Sequence, residues 1–380
     1  MKITKTPYFS YKIGELPIGC KFCVKGEKLV LFITGICNRN CFYCPLSEQK
    51  KNKDVIFANE WETSEKDFKT IIKEAKLCNS KGAGITGGDP LLVINRTVNA
   101  IKKLKKTFGK RFHIHIYTSL NNVNYDKLKK LKNAGLDEIR VHPDLNDDRY
   151  WTRIGLLNKF NWDVGVEIPA VPGYEKQTKK LLDYVNDKVQ FVNLNELEMS
   201  DTNVTNLSKF GFKPKNSISY GAKGSEESAL KLMKYILNKK YEFNVHYCTC
   251  RLKDAVQLKQ RIKRRAKNVA LKFDKLTKEG TLIRGVIYLP ELYPSFSYRK
   301  KLKKLTKIEK IKLVKKLDNA KILLGKLGIA SAIDEVKMRL LANPVLLNNK
   351  KNILKKNKLI PAKVEEYPTH DATEVEINPL

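Results

Sequence analysis

From Lys28 onward, short apolar runs rich in Val, Ile and Phe alternate with longer segments of helical period, the pattern of successive parallel βα units. The runs predict strands near 28–34, 83–86, 112–117, 138–141, 163–168, 190–194 and 242–247. Between the first two, "TSEKDFKTIIKEAKLCNSKG" carries Phe68, Ile71, Ile72 and Ala75 at spacings of three and four, with Ser64 as the expected cap and Gly82 as the stop. Ile94 to Phe108 repeats the pattern with Val98, Ile101 and Leu104 before Gly109, and "YDKLKKLKNAG" repeats it before Gly135. Six such units fall short of the eight strands of a closed barrel. The expectation is therefore an α/β fold, an open (βα)6 partial TIM-type barrel over residues 28–250, with its chemistry at the C-terminal strand ends. Those ends read "GICNRNC", "GGDP", "SLNN", "HPD", "PAVPG", "NELEMS" and "CTC", so the unusual residues gather on one rim.

Past Cys250 the alternation stops. "RLKDAVQLKQRIKRRAKNVALKFDKL" places Leu252, Val256, Ile262, Ala266 and Val269 near one helical face and crowds Arg261, Lys263, Arg264, Arg265 and Lys267 elsewhere. A separate basic, mainly helical domain is expected over 251–380, ending in an acidic tail whose alternation predicts a late strand packing back. Residues 1–27 form a short N-terminal segment with a C-x2-C pair.

Composition narrows the setting. At 380 residues and 42% hydrophobic content the chain can build sizeable cores. No run approaches the roughly 20 apolar residues of a membrane span, and the N-terminus lacks the apolar core of a secretory signal. The cytoplasm is the expected compartment, where thiols stay reduced and clustered cysteines read as ligands or catalysts. The formal charge of +34 is denser after Arg251. A solvated lysine-rich face accounts for any single basic run. Together with the aromatics of "YPSFSY", the density suggests an RNA partner.

Three of the eight cysteines, Cys37, Cys41 and Cys44, fall within "GICNRNCFYCPLSE". Three thiolates on one loop can converge on one soft-metal centre, zinc or iron–sulfur. Structural zinc normally takes four protein ligands, whereas three leave an open position. A remote fourth ligand such as Cys20 or Cys23 keeps zinc open on spacing alone.

The pattern C-x3-C-x2-C, with Tyr43 before the last cysteine, resembles the signature of the radical SAM superfamily. The resemblance implies a [4Fe-4S] cluster on Cys37, Cys41 and Cys44, whose fourth iron chelates S-adenosylmethionine and whose electron cleaves it to a 5′-deoxyadenosyl radical. "GGDP", Gly87, Gly88, Asp89 and Pro90, resembles the family's G-G-E-P segment, which meets the cofactor's amino group; Asp89 departs from Glu by one methylene. "YTSLN" then implies Ser119 and Asn121 near the ribose and carboxylate. "VEIPAVPG" resembles the adenine-side segment of the branch of pyruvate formate-lyase activating enzyme, implying Glu167 or Ile168 near the nucleotide.

Several features compete with these. "GAGITG", Gly82 to Gly87, matches G-x-G-x-x-G but begins at a helix end and runs through a strand, where a nucleotide fingerprint does not belong. His113 and His115 lie on the third strand, one expected to face the barrel and the other the helices. Cys20 and Cys23 precede strand one, and Cys248 and Cys250 follow strand seven. An open barrel could bring the two pairs together as a second zinc or iron–sulfur site, and one of them could instead donate hydrogen. Cys78 sits in the first barrel helix, where packing explains it.

The shared cofactor chemistry does not name the product. The basic C-terminal third favours an RNA-modifying enzyme acting on tRNA. The "PAVPG" likeness supports instead an activase or modifying enzyme for a protein or small molecule. A non-catalytic iron–sulfur or zinc protein that binds nucleic acid is the third class. A radical enzyme also needs a reductant as partner.

Overall fold

The computed structural model describes residues 1–295 and 297–380; Phe296 of "YPSFSY" lies outside the described residues. The chain divides into two compact units, Met1–Arg261 and Ile262–Leu380.

Unit 1 is built on seven parallel strands: β1 (Lys28–Thr34), β2 (Gly82–Gly87), β3 (His113–Ser119), β4 (Glu138–His142), β5 (Asp163–Ala170), β6 (Phe191–Glu196) and β7 (Asn244–Cys248). They are hydrogen-bonded in the order β7-β6-β5-β4-β3-β2-β1, and the edges beyond carry antiparallel strands, Tyr11–Ile13 on β7 and Ile56–Ala58 on β1. The first and last parallel strands do not pair, so the barrel is open. β1 is buried at six of its seven positions, because helices cover one face and the lumen occupies the other. Residues 1–27 extend this sheet and contribute the short helix Ile18–Cys23, which packs against β1, β2 and β3.

The helices follow from local chemistry. α1 (Phe68–Leu77) starts at Asp67, whose carboxylate accepts the Thr70 amide. The expected cap Ser64 lies one turn too early; the apolar face begins at Phe68, and Asp67 is the side chain positioned to satisfy its first free N–H groups. α2 (Ile94–Phe108) buries Thr97, Ala100, Ile101 and Leu104, one face at spacings of three and four. α3 (Tyr125–Ala134) is capped by Asn124 and ends at Gly135 with φ 100°, a conformation that suits glycine.

Unit 2 is organised by an antiparallel sheet that the expectation of a mainly helical domain omits. Its strands β8 (Leu282–Tyr288), β9 (Ser331–Asp334), β10 (Arg339–Ala342), β11 (Ile360–Glu366) and β12 (Glu374–Pro379) run in the order β9-β10-β8-β11-β12, and Lys275–Leu276 pairs with β8. Helix α4 (Lys307–Lys326), with a Thr306–Glu309 capping box, buries Leu313, Leu317, Ala320 and Leu324 in this unit's core. The short strands were hidden because charges interrupt their apolar runs. Arg339 is fully buried between Asp334 and Glu366, and Arg284 joins Asp274 and Glu366. The acidic tail does return as a strand, β12 on β11.

Candidate functional site

The three loop cysteines sit on a long loop, closed at its base, between β1 and the strand Ile56–Ala58. Its base is zipped by the Gly35 amide on the Lys53 carbonyl (2.8 Å) and the Asn52 amide on the Gly35 carbonyl (3.0 Å). A Cβ on Gly35 would collide with the Lys50 carbonyl. Arg96 holds the exit, donating to both oxygens of Asp54 (2.6 and 2.9 Å) and to the Ile33 carbonyl (3.1 Å). Within the loop, C-x2-C forms a tight turn in which the Cys44 amide donates to the Cys41 carbonyl at 3.0 Å. Phe42 anchors the turn against Phe210, Phe212 and Tyr174.

All three thiols line one cavity of about 520 Å³ that runs from this loop into the barrel lumen. The Arg39 amide donates to Cys37 Sγ at 3.4 Å. Burial pushes the Cys37 and Cys41 thiols up, and the Arg39 guanidinium pulls Cys41 back down. Arg39 itself is fixed by the His142 carbonyl (2.6 Å) and Asp144 (2.7 Å). Three soft donors on one loop, half-buried and beside a held cation, fit a cluster with one site left open. Among the described residues, no group of three or more His, Cys, Asp or Glu is drawn close enough to hold a metal ion without rearrangement.

The "GGDP" segment crosses directly beneath the loop. The Gly88 amide donates to the Thr34 carbonyl and the Asp89 amide to the Ile36 carbonyl, both at 2.8 Å. A Cβ on Gly87 would strike the Thr34 carbonyl and one on Gly88 the Ile36 carbonyl, so glycine is what allows this approach. Asp89 is fully buried. Its Oδ1 accepts from Thr118 (2.7 Å) and the Leu91 amide (3.0 Å), and its Oδ2 from Ser119 (2.6 Å) and Asn122 (2.7 Å). Its carboxylate is therefore turned into the scaffold.

Of the residues singled out from sequence, Tyr43, Gly87, Gly88, Ser119 and Glu167 line the cavity with the thiols. Pro90 is buried outside it, its carbonyl accepting from Thr97 (2.9 Å). The Asn121 carbonyl accepts from Arg153, and it is the neighbouring Asn122 that reaches Asp89. Ile168 lies in the hydrophobic core, since the residue beside lumen-facing Glu167 must point the other way.

Deeper in the lumen the strands place charges opposite one another. Arg140 donates to Glu138 (2.5 Å) and Glu167 (2.8 Å), and Asn193 and Asn195 also donate to Glu167 (2.9 and 3.0 Å). These hydrogen bonds and Arg140 hold Glu167 below its ordinary carboxylate range against the opposing effect of burial. His113 and His115 both face this lumen, ring centroids 6.2 Å apart. The expectation that they would face opposite ways fails because residues two apart on a strand share a face. A Cβ on Gly84 would lie 2.6 Å from His115 Nε2, so "GAGITG" is a strand whose glycine makes room for an imidazole. His142 donates from Nδ1 to the Glu167 carbonyl (2.7 Å), leaving Nε2 to accept the Tyr43 hydroxyl (2.9 Å). Burial, helped by Arg39, lowers His142 to about 4.

Sequence reading missed Arg39, Asn122, Arg140 and Lys253 as parts of this site. The available signal was charge inside apolar strands, as in "EIRVH" and "VEIPA". Lys253 follows β7, lines the cavity and pairs with Glu198.

The four outer cysteines do not meet as two pairs. Cys250 lines a separate cavity of about 660 Å³ with Glu196, whose carboxylate accepts its amide at 2.8 Å. Cys20 lies in the lumen against Asn193 and Arg140, while Cys23 borders the 520 Å³ cavity. The basic run after Cys250 is also less exposed than expected. Arg261 is buried and paired with Glu60, and Arg265 is buried and donates to the Pro368 carbonyl. No helix among the described residues is long and apolar enough to cross a membrane.

Residues 31–187 match the profile of the Radical SAM superfamily. Over 384 aligned residues the chain is 44% identical to a protein of Methanocaldococcus jannaschii named as a candidate glycyl-radical enzyme activating enzyme, covering 98% of this chain and 95% of that one. It is 31% identical over 134 residues to biotin synthase of Nautilia profundicola, covering 34% of this chain and 45% of that one. Among solved structures, SuiB of Streptococcus suis bound to the precursor peptide SuiA matches at 15% identity and a TM-score of 0.44. That match covers 59% of this chain and 48% of SuiB, so the chain spans about half of SuiB's length. Methylornithine synthase matches at 17% identity and a TM-score of 0.40, covering 58% and 70% of the two chains.

Proposed function

The chain belongs to the radical SAM superfamily, and from that premise we propose that it is an activating enzyme that takes a hydrogen atom from a glycine of a protein substrate. It is an enzyme that uses a [4Fe-4S] cluster and S-adenosylmethionine. When bound, these supply one-electron cleavage of a sulfonium and hence a radical able to abstract hydrogen.

The observation that carries the activase reading is the 44% identity maintained over 98% of the chain, a span that takes in the C-terminal unit as well as the barrel. In this reading Cys37, Cys41 and Cys44 hold the cluster, and Arg39 offsets their charge. Gly87 and Gly88 set the distance between the cysteine loop and the second strand end. Ser119 and Asn122 are oriented by Asp89, and Tyr43 is oriented by His142 through Nε2. Arg140, Glu167 and Asn195 line the cavity below, presenting hydrogen-bonding groups suited to a peptide backbone. A low-potential reductant supplies the electron.

An RNA substrate rests on the basic density and the aromatics of "YPSFSY". With Arg261 and Arg265 engaged internally, the basic run offers fewer free guanidinium groups than its sequence suggests, which weakens that motive. The test combines the anaerobically reconstituted chain, S-adenosylmethionine, a strong reductant and a glycyl-radical-type protein encoded in the same genome. A glycyl-radical doublet in the electron paramagnetic resonance spectrum supports the reading. Cofactor cleavage without that signal, together with tRNA nucleosides altered by gene deletion, overturns it in favour of RNA.

A further inference from the structure

We propose that Cys20, Cys23, Cys248 and His246 hold a tetrahedral soft metal ion of the zinc class, at the seam where the barrel fails to close. β1 and β7 do not pair with each other; their outer edges carry Ile56–Ala58 and Tyr11–Ile13. The helix Ile18–Cys23 brings Cys20 and Cys23, three residues apart and so on neighbouring positions of one face. β7 brings His246 and Cys248, two residues apart and so on its lumen face.

The contacts tie the two elements together. Cys20 Sγ lies 3.5 Å from Asn193 Nδ2, and Asn193 is the register partner of His246 on the adjoining strand. Cys248 packs in a small cluster with Val24, the residue after Cys23.

A second observation points to a missing ligand. His246 is 0% exposed, and neither of its ring nitrogens has a hydrogen-bond partner. A neutral imidazole carries one donor and one acceptor, and leaving both unmet in a buried site is costly. A metal ion on one nitrogen removes that deficit at the acceptor. Cys3His is a closed structural zinc set, and Arg140, 3.6 Å from Cys20, lies beside the surplus negative charge of three thiolates. Seating the ion requires these side chains to rearrange, since they are not gathered closely enough to hold it as they stand. The ion would staple the N-terminal helix to the lumen face of the last parallel strand.

The test uses the full-length chain carrying Cys37→Ala, Cys41→Ala and Cys44→Ala, so that the loop contributes no metal. Purified anaerobically and shown folded by circular dichroism, it should retain about one zinc per chain. Its cobalt(II) form should show the thiolate charge-transfer bands of a tetrahedral site. Adding His246→Ala or Cys248→Ser should cut metal retention against a chelator at least about tenfold, whereas Cys250→Ser should leave it unchanged. Absence of both zinc and the cobalt bands in the folded triple variant overturns the proposal. Iron with sulfide in place of zinc, or an equal loss in Cys250→Ser, overturns it as well.

Discussion

The hydroxyl of Ser119 donates to Oδ2 of Asp89 at 2.6 Å, joining the end of the third parallel strand to the turn that follows the second. With Thr118, Asn122 and the Leu91 amide on the same carboxylate, Asp89 organises two rim segments at once. Asp89→Ala should destabilise the metal-free chain by ~3 kcal/mol in urea denaturation, because it strands several buried donors. Asp89→Glu keeps the charge but forces a methylene into a filled site, and should cost about 1–3 kcal/mol. Unchanged stability in Asp89→Ala, with weakened cofactor binding, would make Asp89 a direct contact instead of a scaffold.

Gly88 tests the spacing between rim and loop. A Cβ there meets the Ile36 carbonyl of the cysteine loop, so Gly88→Ala must displace the loop or itself. The expected result is a folded chain whose iron content after anaerobic reconstitution drops severalfold. Gly155→Ala, where a Cβ meets open space, should reconstitute like the parent.

Acid stability reports on the Tyr43–His142 link. His142 is held at about 4 against an ordinary 6.5, so in that window the unfolded chain binds a proton that the folded chain refuses. Stability contributed by neutral His142 is present above pH 6.5 and declines as pH falls towards 4, by at most ~1.4 kcal/mol per pH unit. His142→Gln should flatten that part of the profile for the metal-free chain. Superimposable acid limbs would contradict the assignment.

The barrel was legible because parallel strands buried on both faces print as apolar runs, and all seven lie where β1 to β7 are found. The cysteine turn was legible because its ligand spacing is local. What sequence hid was pairing across distance. Asn121, singled out for the ribose and carboxylate, does not line the cavity and its neighbour Asn122 reaches Asp89, because the register of a short turn after β3 decides which amide points inward. Ile168 falls away from the cavity through strand alternation, and Cys250 parts from Cys248 where β7 gives way to a helix. In the C-terminal unit, Arg284 and Arg339 sit within strands that look too charged to be buried. Asp274 and Asp334 lie close by in the chain, but the partner the two arginines share, Glu366, is 82 residues from Arg284 and 27 from Arg339, beyond any local window.

The most direct test of the central claim is cofactor cleavage by the chain after anaerobic reconstitution with iron and sulfide, under strong reductant. About four irons on the loop are expected, with 5′-deoxyadenosine formed from S-adenosylmethionine and loss of both when any of Cys37, Cys41 or Cys44 is replaced by alanine. Zinc bound at that loop, or a fully loaded cluster that leaves S-adenosylmethionine intact, would contradict it.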